Sequence, residues 1–338
     1  MHSVNFEQWL QQGTPAATRF FSLARHALVE ALRLAGVGRG DSVLLPEFIC
    51  RDVLAALATL GAQPVWYRVS ANLAPADPPD SWPVARAFLV VNYFGFPQAL
   101  EPFRTYAART GALLIEDNAH GFLSRDAAGA WLGLRGDAGL FSLRKTLPLA
   151  DGAALVVGNV ELTERLPPQL IAGGDGYAPA VRWKARLRRL PLLGVTAQVV
   201  VTALVRGLRR YHSGHAIAPS VPAAECVIPH PPVPHAGLME ALAQLNVEAE
   251  IARRRTCYIQ AERAAHGCGI APLFPRLPPL VAPYCFPFRA GPGAALECIR
   301  RWATRRGFDL ISWPDLPGDF AATAPTHYRD VYLVNFLW

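Results

Sequence analysis

A chain of 338 residues allows about two domains and a large buried core, which excludes a peptide hormone or a disulfide-stapled miniprotein. With 51% hydrophobic and 17% charged residues it is too apolar to stay disordered, and its 30 prolines and 27 glycines, without a triplet period, mark frequent connections rather than a collagen-like repeat. The net charge of +7 favours an anionic partner (a nucleotide, a phosphorylated cofactor, nucleic acid or an acidic membrane) without choosing among them.

The first half alternates helical periods with short apolar runs. Leu23, Ala27, Leu28, Ala31 and Leu34 share one stripe, which predicts a helix over 22–34 ended by Gly36, Gly38 and Gly40. A strand over 41–45 stops at Pro46, a helix over 51–60 closes at Gly61, and a strand follows over 64–69. Next come a strand over 87–91, a helix over 101–110 capped by Gly111, and a strand over 112–116. Strands and helices in this order argue for an α/β fold with a mostly parallel central sheet covered on both faces. Ligands of such sheets sit at the carboxyl ends of the strands, here carrying 46–50, 92–95 and 117–120.

The section from 161 to about 226 is different. Arg182, Lys184, Arg186, Arg188 and Arg189 precede an apolar run over 190–205, and Arg206, Arg209 and Arg210 follow it. Pro191 and Gly194 favour a packed helix pair or a subunit interface over a membrane-surface helix. A proline-rich connection over 219–234 marks a boundary, giving a large domain over 1–225 and a small α+β domain over 226–338. In the latter we expect a helix over 238–263, short strands around 284–288, a helix near 294–306 and a strand near 308–313.

Six scattered cysteines with no C-x-x-C pair give neither a zinc signature nor a compact disulfide framework, so a reducing cytoplasm is expected. The opening MHSVNFEQWLQQG lacks the build of a secretory leader, and no stretch reaches the roughly 18–20 apolar residues of a spanning helix.

The chemistry concentrates in LLIEDNAHG and GDAGLFSLRKTLPLADGAALVV. The first ends a buried strand in Glu116–Asp117, where a carboxylate meets ligands. In the second, Lys145 sits between an apolar turn and the start of another strand. Partial burial there lowers an amine's pKa and frees it as a Schiff-base former.

Together with GRGDSVLLPEF, GAQPVWY, VVNYFGFP, ALAQLN and IARRR, these stretches resemble, in order and spacing, the DegT family of pyridoxal-phosphate-dependent sugar aminotransferases. The resemblance implies fold type I and pyridoxal 5'-phosphate as cofactor. Lys145, seven residues before Gly152, falls where the family's Schiff-base lysine lies, and Asp117 matches the acid facing the pyridine nitrogen. His120 stands near the ring hydroxyl. Ala24, Arg25 and His26 occupy the turn that opens the first helix, and Ser142 matches the phosphate-binding serine. Arg25 replaces a hydroxyl residue with a guanidinium able to bind phosphate. Phe48 is the candidate to cover the ring, since Cys50 occupies the usual aromatic position, and Asn92 and Tyr93 are candidates to line the pocket.

The sequence also departs from the family. The step from Ser142 to Lys145 is short, the usual paired glycines become Gly152–Ala153, and an Asn-Tyr-Arg segment has no clear counterpart. The sequence ends at 336–338, near where relatives continue with a substrate-contacting tail.

The resemblance implies a homodimer moving an amino group from an amino acid such as glutamate to a nucleotide-linked keto-sugar, in polysaccharide, other glycan or secondary-metabolite synthesis. Two alternatives stay open, a non-catalytic or regulatory relative and another reaction of the same cofactor. Nucleic-acid binding is disfavoured, as the basic residues are not interleaved with stacking aromatics. The lack of G-x-G-x-x-G after the first strand disfavours a dinucleotide-dependent dehydrogenase.

Overall fold

The computed structural model describes residues 17–147, 149, 151–173, 204, 208 and 220–336. Helix α1 (Ala24–Leu34) buries Ala27, Leu28, Ala31, Leu32 and Leu34, the stripe that its periodicity marks. It starts two residues later than expected because Leu23 is extended and the Ser22 hydroxyl donates to the Pro231 carbonyl at 2.5 Å. Helices α2 (Leu54–Leu60) and α3 (Glu101–Thr110) each end at a glycine with positive φ, Gly61 at 67° and Gly111 at 70°, the left-handed cap that glycine adopts without strain. The first turn expected for α2 is instead a separate 3-10 turn, Arg51–Val53.

A seven-stranded sheet combines β1 (Ala17–Phe21), β2 (Ser42–Pro46), β3 (Gln63–Tyr67), β4 (Ala87–Val91), β5 (Leu113–Asp117), β6 (Ala138–Phe141) and β7 (Ala153–Val157), in the order β1-β7-β6-β5-β4-β2-β3. Strands β2 to β6 pair in parallel, while β7 runs antiparallel to both β6 and β1. Every residue of β4 and β7 is buried, as expected of strands covered on both faces.

The expected long helix of the C-terminal part is two helices, α4 (Leu238–Ala243) and α5 (Val247–Gly267). The break falls at Asn246, whose side chain accepts from the Ala249 amide at 2.9 Å, so the asparagine caps a new helix rather than continuing the old one. Strand β8 (Phe286–Arg289), helix α6 (Ala294–Arg305) and strand β9 (Asp309–Ser312) follow as expected within a few residues. After two short helices, α7 (Gly318–Ala321) and α8 (Thr326–Arg329), an unforeseen strand β10 (Val331–Asn335) inserts between β8 and β9. It supplies the centre of this antiparallel sheet. A single buried apolar cluster draws residues from both sheets, from Phe21 and Leu89 to Phe286 and Val334.

Cys268, directly after α5, and Cys298, within α6, form a disulfide with 5.8 Å between their Cα atoms. This corrects the cysteine reading: residues 30 apart in sequence meet because two helices pack, and the scatter of cysteines carries no argument for a reducing compartment. No helix among the described residues is long and apolar enough to cross a membrane. The segment 182–210 lies outside the described residues apart from Leu204 and Leu208, as do residues 1–16 and the last two residues.

Candidate active site

The carboxyl ends of β4, β5 and β6 converge on one cleft, the place where ligands of open α/β sheets bind. Val91, Asp117 and Leu140 reach it from these strands, Ala119 and His120 from the loop after β5, Ser142, Arg144 and Lys145 from the turn after β6. Leu23, Ala24 and Arg25 enter from the start of α1, Cys50 and Asp52 from the segment after β2, and Trp313 from the end of β9.

Asp117 is the last residue of β5. Side chains alternate along a strand, so Asp117 faces the cleft while Glu116 points to the opposite face. The Asp117 Oδ1 accepts the Ala119 amide at 3.0 Å. Burial pushes the carboxyl above the usual aspartate range, and that amide and Lys145 pull against the shift.

Lys145 ends a 3-10 turn, Leu143–Lys145, whose Arg144 amide donates to the Gly152 carbonyl at 3.0 Å. Gly152 has φ 139°, a conformation that favours glycine, and its own amide donates to Ser22 at 2.8 Å. The lysine turn is thereby fastened beside the start of α1. Ala153, where relatives have a second glycine, begins the regular strand β7 and pairs with Phe21. The Lys145 Nζ lies 3.0 Å from His120 Nε2 and 5.7 Å from the centre of the Tyr284 ring. Burial holds the Lys145 amine below the ordinary lysine range; Cys50 opposes the shift and Arg144 adds to it. Burial, reinforced by Lys145, pushes His120 well below the ordinary histidine range, so its ring is neutral at pH 7 and shares a hydrogen bond with the lysine without taking its proton. The imidazole lies near-parallel to two rings, Tyr284 at 4.3 Å and Phe94 at 5.7 Å, each at 12°. The protein has only two lysines, Lys145 and Lys184.

At the other wall, Leu23 precedes α1 without a capping side chain and no acidic residue lies in the helix's first turn. The amides of Ala24 and Arg25 and the Ser142 hydroxyl have no hydrogen-bond partner among the described residues. Such a helix start suits an anion. The Arg25 Nη1 is 3.9 Å from Asp52 Oδ2, so the guanidinium is paired rather than solvated.

Four expected site residues do not line the cleft; one of them, Tyr93, is buried and its hydroxyl donates to the Phe48 carbonyl at 2.8 Å. The His26 ring turns away and donates from Nε2 to the His230 carbonyl at 2.5 Å. Phe48 is fully buried, behind Trp313 and against Tyr93 and Tyr328. Asn92, also fully buried, donates to Glu116 at 3.0 Å and accepts from Arg135 at 3.0 Å, which makes it a structural link. Sequence reasoning missed Trp313, Asp52 and Tyr284. Trp313 alone carried a signal, at the end of an expected strand, whereas Tyr284 reaches His120 only through the packing of the C-terminal part.

A carboxylate at a strand end, a buried amine beside it and an uncapped helix start with a free hydroxyl fit the pyridine nitrogen, the aldehyde and the phosphate of pyridoxal phosphate. Sheet and cleft together define a pyridoxal-phosphate-dependent transferase of fold type I. The family model of the DegT/DnrJ/EryC1/StrS aminotransferases matches residues 6–174, and the chain belongs to that family of pyridoxal-phosphate-dependent aminotransferases. Solved structures share its fold. DesV of S. venezuelae is 21% identical with a TM-score of 0.62, covering 98% of this chain and 83% of its own. The putative sugar aminotransferase Spr1654 of Streptococcus pneumoniae, in its PLP form, is 14% identical with a TM-score of 0.64, covering 100% and 88%. The E. coli GDP-4-keto-6-deoxy-D-mannose-3-dehydratase, solved with bound hydrated PLP, is 14% identical with a TM-score of 0.60, covering 97% and 85%.

Proposed function

We propose that this aminotransferase moves an amino group from an amino-acid donor, L-glutamate the first candidate, to a keto-sugar carried on a nucleoside diphosphate. The observation that carries the reading is the approach of Lys145 Nζ to 3.0 Å from His120 Nε2, in the cleft that also contains Asp117 and Ser142. Bound pyridoxal phosphate supplies an electron sink for negative charge developing on the substrate carbon. Ser142 and the amides of Ala24 and Arg25 bind its phosphate, and Asp117 keeps its ring nitrogen protonated. Lys145 would hold the cofactor through its Nζ, and that amine, when free, would take a proton from the substrate carbon and return it. His120, neutral and 3.0 Å away, orients that Nζ through their hydrogen bond.

The retained lysine favours transamination over the dehydratase branch, in which histidine replaces it. The net charge of +7 suits an anionic acceptor. The same reading makes the protein a homodimer acting in the synthesis of polysaccharides, other glycans or secondary metabolites.

The test is the absorption spectrum of the protein purified with pyridoxal phosphate, for wild type and Lys145→Ala, before and after L-glutamate. A lysine-bound chromophore in wild type only, bleached by L-glutamate with release of 2-oxoglutarate, is expected. Reduction with borohydride should then fix the cofactor to the peptide containing Lys145 and leave Lys184 unmodified. Fixation at Lys184, or a chromophore that survives Lys145→Ala, would refute the assignment.

A further inference from the structure

A flat pyridine ring held at its edges by Asp117 and Lys145 still needs a surface against one face. The expected Phe48 is fully buried, and Cys50, which does line the cleft, has no ring. Among the described residues the aromatic side chains in the cleft wall are His120 and Trp313. His120 is already engaged in near-parallel ring contacts, with Tyr284 at 4.3 Å and Phe94 at 5.7 Å. Trp313 differs. Its ring contacts are Phe48 at 5.0 Å, Tyr93 at 6.0 Å, Phe94 at 5.0 Å and His120 at 5.4 Å, at interplanar angles of 76°, 78°, 74° and 62°. No described ring lies parallel to the indole, and the residue is partly exposed.

The indole is also held in place. Trp313 follows β9, its amide donates to the Val331 carbonyl of β10 at 3.0 Å, and Phe48 backs it from within the core. A fixed aromatic surface can stack on a ligand at little cost in side-chain entropy.

We propose that Trp313 is a cofactor-binding residue: its indole stacks on the pyridine ring of pyridoxal phosphate, replacing from the C-terminal sheet the aromatic that Cys50 does not supply. The proposal rests on the assignment of the cleft to that cofactor. It makes cofactor affinity depend on the seating of β9 and β10, although Asp117, Ser142 and Lys145 all belong to the larger sheet and its loops.

Pyridoxal phosphate itself is the probe. In a Lys145→Ala background, where only non-covalent binding remains, its Kd is measured by equilibrium dialysis and its environment by the visible circular dichroism of the bound cofactor. Trp313→Leu keeps an apolar contact without a ring and should weaken binding about fivefold and diminish the dichroic band, in line with the usual worth of an aromatic pair. Trp313→Phe keeps a ring and should stay within about twofold of the parent. Equal binding by the leucine and phenylalanine variants would overturn the proposal, whether both are strong or both weak. A parent protein that binds no pyridoxal phosphate would overturn the cleft assignment as well, a failure visible before Trp313 is altered.

Discussion

Replacing Asp117 by asparagine should lower kcat by about 10³-fold, within the span usual for a group that controls a proton in the transition state, while leaving the cofactor bound. The carboxylate is fixed at the end of β5 by the Ala119 amide at 3.0 Å, a contact that the amide oxygen of asparagine can also accept. Geometry is therefore retained and charge alone is lost. Without that charge the ring nitrogen is less readily protonated, and the sink that stabilises the substrate carbanion is weakened. Single-turnover measurement with L-glutamate checks this, and a rate within tenfold of wild type would remove Asp117 from the assigned role. The same variant should make the cofactor-free protein more stable at neutral pH. Burial raises the Asp117 pKa above its unfolded value, so the stability tied to this carboxyl is whole below the ordinary aspartate range and is lost as pH rises through the displaced pKa. Asparagine never ionises and escapes that loss. The melting temperature of Asp117→Asn should exceed that of wild type at pH 7, and the difference should vanish near pH 3.

What the sequence makes legible is local. Strand β4 and helix α3 lie where their apolar run and their terminal glycine place them, because burial on both faces and a left-handed cap are written in adjacent residues. Asp117 is legible for a related reason, as the end of an apolar strand, and Lys145 as an amine in an apolar turn, whereas His120 and Ser142 are marked by the family resemblance alone. Contacts made across the fold are not encoded this way. Phe48 and Cys50 are two residues apart, yet only the packing of Tyr93, Tyr328 and Trp313 decides that the phenylalanine is buried and the cysteine lines the cleft. His26 sits one helical step from Arg25, and the carbonyl that captures it belongs to the distant proline-rich connection. The central position of β10 is likewise set by its neighbours β8 and β9, since a five-residue apolar run carries no record of which strands will flank it.

The largest effect on stability is expected at Arg135. Its partner in β5, Glu116, is fully buried, and the arginine side chain, in the segment before β6, is only 6% exposed. The Glu116 Oε1 accepts the amides of Arg135 at 2.6 Å and Gly136 at 3.1 Å, while Oε2 accepts Arg135 Nε at 3.0 Å, Arg135 Nη2 at 2.7 Å and Asn92 Nδ2 at 3.0 Å. The guanidinium also donates to the Gln98 carbonyl at 3.2 Å and to Asn92 Oδ1 at 3.0 Å. This network fastens the carboxyl ends of β4 and β5 together on the side of the sheet away from Asp117. Arg135→Met would leave the Glu116 charge buried without its counter-charge, a change that costs about 3–5 kcal/mol in comparable pairs. Denaturant unfolding of the cofactor-free protein should record that loss. Adding Glu116→Leu removes the stranded charge and should recover most of it, because a buried ion pair gains little over apolar residues of similar volume. A single variant within about 1 kcal/mol of wild type would mean that the carboxylate is neutralised by other groups. A double variant no more stable than the single would mean that the amides of Arg135 and Gly136, rather than the guanidinium, are what the turn after β5 depends on, and that Glu116 holds the site as a backbone anchor.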